Sequence, residues 1–294
     1  MKSNYYKELV AEKLLALCAY LTVLTTILIV YILLTESFQF FKTVSIAEFL
    51  FGTRWEPLLE PKSFGVLPLL FGTLMIVVGS AFVCIPIGLT TAIFLSQYAS
   101  KKVRRIIKPV LEVLAGIPTV VYGYFALTFI TPILRVFIPD TEIFNALSGA
   151  IVVGIMILPM VASLCDDALQ AVPKSLKQGG YALGTTSYEV TTGIMIPSAF
   201  SGIMASFVLA ISRAFGETMA VTLAAGATPR FTLNPLESIQ TMTAYIVQVS
   251  LGDTPAGGIE YQTIFAVAGL LFLVTLVMNL VSNFIMNKYR EVYE

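Results

Sequence analysis

Long apolar runs fill this chain, and short polar stretches separate them. Six runs reach about 18 residues or more, enough to cross a hydrocarbon core of roughly 30 Å as helices. The pattern predicts spans at 14–35, 67–96, 109–135, 145–165, 196–222 and 262–286. The predicted fold class is therefore an all-α polytopic membrane protein with about six transmembrane helices.

The polar connections orient the bundle. Of 18 Lys and Arg residues, twelve fall on one side. These are Lys2, Lys7 and Lys13, then Lys101, Lys102, Arg104, Arg105 and Lys108, then Lys174 and Lys177, and finally Lys288 and Arg290. Five fall on the other side (Lys42, Arg54, Lys62, Arg135, Arg230), and Arg213 lies inside a span. The positive-inside rule then makes both termini cytoplasmic. The first run has the acidic residues Glu8 and Glu12 in its leader and exceeds the length of a signal-peptide core, so it reads as a retained anchor.

Composition agrees: 57% of residues are hydrophobic and 12% charged, against about 25% charged in soluble domains. Net charge is zero, which gives a nucleic-acid partner no support. The chain has no histidine, which removes His-based metal sites, Ser-His triads and HExxH chemistry. Cys18, Cys84 and Cys165 lie in or beside apolar runs at spacings unlike a metal site and read as inert thiols. Without paired catalytic carboxylates or a GxxxxGK[ST] phosphate loop, the chain offers neither an enzyme site nor its own ATPase.

Two external connections are longer than tethering needs. The first, 36–66, holds the single tryptophan, Trp55, which reads as an interfacial anchor. In the third, 223–261, Asn234, Pro235 and Glu237 occupy N-cap, first-turn and capping-box positions. Ile239, Met242, Ile246 and Val249 follow at helical spacing, so a short helix opening at Asn234 is predicted, either packed into the bundle mouth or used for docking.

Two segments carry candidate chemistry. Arg213 and Glu217 lie inside the fifth apolar run, where a lone Arg costs about 2.5–3.5 kcal/mol on the insertion scale. Four residues apart on one continuous helix, they would share a face and pair. Gly202, Ser206, Ala210 and Ala214 lie in the same arc at small-xxx-small spacing, which turns this face toward another helix or a cavity. Two readings stand: an ion pair that fixes packing, or a substrate path in which the cation attracts an anion. Glu112, near Lys108, reads as structural.

The second segment is the loop VPKSLKQGGYALGTTSYEVTTGIMIP, 172–197. One short helix stops at Gly184, a natural C′ residue, and Thr186 with Glu189 forms a capping box that opens another. A well-capped loop and a docking surface are equally compatible with this local physics. The loop resembles the EAA loop of MetI-like, type I ABC importer permeases, in which Glu-Ala-Ala, three residues, Gly, nine residues and Ile-x-Leu-Pro follow one another. Here Gln178-Gly179-Gly180 precedes Gly184 by three residues, and nine more lead to Ile194-Met195-Ile196-Pro197. The register matches, while Gln-Gly-Gly replaces Glu-Ala-Ala and Ile196 replaces Leu.

The segments 49–57, 64–74, 116–127, 158–173 and 212–221 together resemble the PstC-type permeases of phosphate importers. The resemblance implies an N-terminal helix and external loop at 1–66, a MetI-like permease domain at 67–287 and a cytoplasmic tail at 288–294. It implies a bacterial or archaeal cell membrane as the location. It further implies a PstA-like second permease, a PstB-like ATPase dimer that binds ATP, and a PstS-like phosphate-binding protein outside. Gln178, Gly179, Gly180, Gly184, Ile196 and Pro197 would belong to the ATPase coupling loop, and Arg213 and Glu217 to the phosphate path. No cofactor is expected in this chain. Alternatives are a permease for sulfate or molybdate and, further off, a secondary anion transporter.

Overall fold

The computed structural model describes residues 2–255 and 257–288. The expected tail at 288–294, Arg290 included, lies outside them apart from the backbone of Lys288. Among the described residues, five helices are long and apolar enough to cross a membrane, and one bent pair passes the same test when its two halves are taken together.

Helix α1, Lys2–Thr43, extends beyond the predicted first span at both ends. Its large apolar side chains from Val10 to Leu34 are mostly exposed, as suits a helix whose solvent is lipid. Near its end it meets the last helix, where Ser37 Oγ donates to the Phe265 carbonyl at 2.9 Å. A short helix α2, Ile46–Phe51, and a two-strand hairpin, β1 Trp55–Glu56 with β2 Ser63–Phe64, complete the first connection.

Helix α3, Leu67–Ile93, runs on through a π-helical turn, Phe94–Tyr98. Next comes α4, Lys101–Ala115, a separate amphipathic helix capped by Ser100, whose hydroxyl accepts the Val103 N–H. The expected third span at 109–135 is corrected here. Gly116 and Pro118 break the chain, and the crossing is Thr119–Phe137, built from α5 (Thr119–Phe125), a π turn and α6 (Thr131–Phe137). The five cations on α4 keep it out of the hydrocarbon, while its apolar stripe holds it beside the bundle.

Helix α7, Ala146–Ala171, is the most buried span and forms the axis of the core. It packs along α3, where small residues permit close approach: a Cβ on Gly79 would lie 2.6 Å from Ala150 Cβ, and one on Gly154 would lie 2.7 Å from Val83 Cβ.

The fifth apolar run is also broken. After α8 (Lys174–Ala182) and α9 (Ser187–Val190), a π turn and the single turn α10 (Ile196–Ser198) lead into α11, Phe200–Phe215, across a 69° bend. Helix α11 ends at Gly216, and α12, Met219–Ala225, starts afresh. The continuous helix expected over 196–222 is thus three pieces.

The outer loop then leads to α13, Met242–Ser250, and α14, Ile259–Lys288. The helix expected to open at Asn234 opens at Met242, with Thr241 as the cap through its hydroxyl and the Ala244 N–H. Trp55 is not an interfacial anchor: it is 1% exposed and meets Tyr245 edge-on with ring centroids 4.9 Å apart. Phe40, Phe49 and Phe64 complete that aromatic cluster, so the hairpin and α13 share one core.

Candidate functional site: a cation-lined cavity and a capped helical hairpin

The break at Gly216 separates the two intramembrane charges. Glu217 is 8% exposed, and its Oε1 accepts the Ala220 N–H at 3.0 Å, in the first turn of α12. A carboxylate there satisfies an orphan donor and meets the positive end of the peptide dipoles. Its backbone carbonyl accepts the Thr243 hydroxyl at 2.8 Å, which ties α13 to the same point. Among the described residues, neither Glu217 nor Arg213 takes part in an ion pair. The expected Arg213–Glu217 pair is therefore corrected: each residue has its own environment.

Arg213 is exposed. It lines a cavity of about 260 Å³ bounded by α4, α7 and α11. The small-residue stripe beside it packs on α7. A Cβ on Gly202 would meet Ala168 Cβ at 2.6 Å, and Ser206 Oγ lies 2.8 Å from Cys165 Sγ. This packing holds α11 against α7 and leaves the guanidinium facing open space.

Sequence reasoning missed part of the cavity wall. Ser163 and Asp166 also line it, together with Lys108 and Glu112, which from the sequence read as a structural pair of neighbours. Two ion pairs tie α4 to α7: Arg104 Nη2 to Asp166 Oδ2 at 2.6 Å, and Lys108 Nζ to Asp167 Oδ1 at 3.3 Å. The available signal was the four-residue spacing of Arg104 and Lys108 against the adjacent Asp166-Asp167. That spacing becomes a contact only because α4 is a separate helix lying beside α7.

The second constellation is the α8–α9 hairpin. Gly184 takes φ +79°, in the left-handed region where a side chain is strained. The capping box is complete: Glu189 Oε2 accepts the Thr186 N–H at 2.7 Å, and the Glu189 N–H donates to Thr186 Oγ1 at 3.3 Å. Thr185 Oγ1 donates to the Gly180 carbonyl at 2.8 Å, satisfying an end of α8. Gly180 is buried, because a Cβ there would lie 2.7 Å from Ile194 Cδ1. Gln178, Gly179 and Gly184 are exposed. Ile196 and Pro197 sit apart from them, at the bend into α11. Two exposed apolar residues at the tip were not singled out from the sequence: Leu183, 84% exposed, and Tyr188, 70% exposed.

An apolar helical bundle enclosing a cation-lined cavity, with an ordered hairpin at one end, is the architecture of a multi-pass membrane transport subunit. Residues 84–290 match the family described as binding-protein-dependent transport system inner membrane component, and the chain belongs to that family. It is a permease subunit of an ABC importer, a class that works with an ATPase and a substrate-binding protein.

Similar proteins include a probable ABC transporter permease protein, YqgH, of Bacillus subtilis, 34% identical over 91% of this chain and 86% of the relative. The phosphate transport system permease protein PstC of Mesorhizobium japonicum is 31% identical over 81% of this chain and 77% of its own. The PstC protein of Haemophilus influenzae is 30% identical over 83% and 82%. Among solved structures, a bacterial ABC transporter involved in import of the acidic polysaccharide alginate superposes with TM-score 0.62 at 15% identity, over 98% of this chain and 100% of that one. The MetNI methionine ABC transporter superposes with TM-score 0.59 at 18% identity, over 80% and 100%. At such identities the structural likeness speaks for the fold alone.

Proposed function

We propose that this chain is the channel-forming permease subunit of an inorganic phosphate importer. The observation that carries the proposal is Arg213, a cation without an ion-pair partner among the described residues, held on a well-packed helix and facing a cavity. A planar guanidinium with forked donors suits a tetrahedral oxyanion through both charge and geometry. The PstC relatives, similar over most of both chains, supply the phosphate assignment.

Glu217 acts at one remove from the substrate. By holding the first turn of α12 and the start of α13, it fixes the break that ends α11 just past Arg213. Its carboxylate is occupied by backbone, so it sets no competing salt bridge on the cation.

The α8–α9 hairpin is the surface that meets the ATPase. Its end of the bundle carries the basic excess and is taken as cytoplasmic. Gln178, Gly179, Leu183 and Tyr188 present an exposed, partly apolar knob of the kind that fills a partner's groove. Gly180 sets the packing of the two short helices, and Ile196 and Pro197 pass motion through the bend into α11, and so to Arg213. In this reading the complex contains a PstA-like permease, a PstB-like ATPase dimer that binds ATP, and a PstS-like phosphate-binding protein on the far side.

The test is ATP-dependent uptake of radiolabelled phosphate into a host lacking its own importer. The chain is co-expressed with its genomic neighbours, and sulfate and molybdate serve as competitors. Uptake that resists both competitors and is lost in Arg213→Gln, with the complex still assembled, is the expected result. Uptake blocked by sulfate or molybdate moves the substrate to another oxyanion. Native uptake in Arg213→Gln removes that residue from the path.

A further inference from the structure

Helix α4 carries a second apolar face that the bundle does not use. At about 100° per residue, its positions sort into three faces. One packs inward: Leu111 is buried with Leu95 and Ala162, Ile107 lies against them, and Arg104 and Lys108 reach Asp166 and Asp167 on α7. A second gathers Val103, Ile106, Val110 and Val113 within about 80° of arc. All four are exposed, Ile106 to 60% and Val113 to 70%. The third holds Lys101, Lys102 and Arg105, exposed cations that take part in no ion pair among the described residues.

The place of α4 in the chain says what meets the apolar face. The helix is too short and too charged to cross a bilayer, yet it lies between two segments that can, Leu67–Tyr98 and Thr119–Phe137. Ala99 and Ser100 tie it to the first, and Gly116 to Pro118 tie it to the second, so it stays at the membrane surface. Tyr98, exposed at its entrance, is the residue type that sits at headgroup level. An apolar stripe flanked by cations lies along such an interface, with its apolar side in the acyl chains and its charges among the headgroups. Lys102 borders the stripe one turn before Ile106, where its stem can follow the apolar surface while the amine reaches the headgroups.

We propose that α4 is a binding face for anionic phospholipid. Lys101, Lys102 and Arg105 take the headgroup phosphate, and the acyl chains cover Val103, Ile106 and Val110. A zwitterionic headgroup brings its own cation beside the phosphate, so it meets three unpaired cations less well than phosphatidylglycerol does. The acidic residue of α4, Glu112, stands at the far end of the helix and leaves the cluster uniformly positive. This face serves whichever oxyanion the permease carries.

The experiment uses the assembled complex in nanodiscs of mixed phosphatidylcholine and phosphatidylglycerol. A bimane fluorophore is placed on Ile106→Cys in a Cys18→Ser background, with partners lacking exposed cysteines; Cys84 and Cys165 are buried and stay unlabelled. Bromines that quench bimane are carried on the acyl chains of one lipid or the other. Both lipids quench in the native complex, and phosphatidylglycerol exceeds its share of the bilayer at least about fivefold, the worth of one cation at an anionic surface. Replacing Lys101, Lys102 and Arg105 together by glutamine returns phosphatidylglycerol to its share and leaves quenching by phosphatidylcholine in place. Lys102→Gln alone removes part of the preference. Lys174→Gln with Lys177→Gln, on the same basic end but on α8, leaves it native. Quenching by neither lipid would give the face to a protein partner and overturn the proposal. So would quenching in simple proportion in the native complex, or a preference that survives the triple replacement.

Discussion

Two connections of this chain carry the same helix-opening signature and fold differently. Thr186 with Glu189 and Asn234 with Glu237 both place a capping residue three positions before a glutamate. The first pair closes its reciprocal bonds and starts α9. In the second, Asn234 Oδ1 accepts the Leu236 N–H at 3.1 Å and Asn234 Nδ2 donates to Glu237 Oε1 at 2.9 Å, but the chain makes a turn. The difference lies in who claims the backbone. The first N–H groups of α7 need acceptors, and the outer loop supplies them: Ala146 N–H donates to the Glu237 carbonyl and Leu147 N–H to the Pro235 carbonyl. Ile239 N–H is held by the Ala225 carbonyl and Ser238 N–H by Glu142 Oε2. The α8–α9 hairpin stands clear of such competitors, so its local signal is realised. A capping signature gives a helix only where tertiary partners leave the backbone free.

That contrast can be broken most strongly at Gly180. A valine there drives its Cβ into Ile194 Cδ1, and overpacking of this kind costs about 1–3 kcal/mol. The expected outcome is loss of ATPase co-purification, with the apolar bundle still extracted intact. Gly184→Val has open space around it but requires φ +79°, a strain of about 1–2 kcal/mol. It should weaken ATPase retention less than Gly180→Val, as a pull-down at graded salt would show. Removing one arm of the capping box with Thr186→Ala costs about 1 kcal/mol. Faster amide exchange confined to 186–191 is its signature, and unchanged exchange would count against the capped hairpin.

In the outer loop the backbone anchor matters more than the signature. Glu142 sits between α6 and α7, and the Ser238 N–H, followed by Arg230, holds its carboxyl below the usual carboxylate range. A lowered pKa contributes stability that is present above the usual range and is lost as pH falls through the folded value. Thermal unfolding of the purified protein should therefore lose a small increment on acidification, and Glu142→Gln should lack that increment. Asn234→Ala is the mildest change, about a few tenths of a kcal/mol, because the surrounding loop is pinned by other residues. Exchange across 242–250 should stay native in this variant, since Thr241 rather than Asn234 caps α13.

The same distinction governs the cavity. Spans were legible because a run of apolar residues can satisfy its backbone in hydrocarbon only as a helix. The glycine stop and capping box of 172–197 were legible because their bonds are local. The shared face of Arg213 and Glu217 was not, because four-residue spacing predicts a pair only on an unbroken helix, and Gly216 lets the chain break. Nor were Lys108 and Asp166, which become neighbours of Arg213 only through the packing of α4 and α11 on α7.

The sequence by itself determined a multi-span helical membrane protein, its basic end, the capped hairpin and the presence of a cation within an apolar run. Each follows from hydration cost or hydrogen bonds within a few residues. Tertiary structure alone decided where the fifth run bends and breaks, that Trp55 belongs to a core shared with α13, and that Lys108, Asp166 and Arg213 line one cavity. Those outcomes depend on which distant groups compete for the same backbone donors and the same space, and no local pattern encodes that competition.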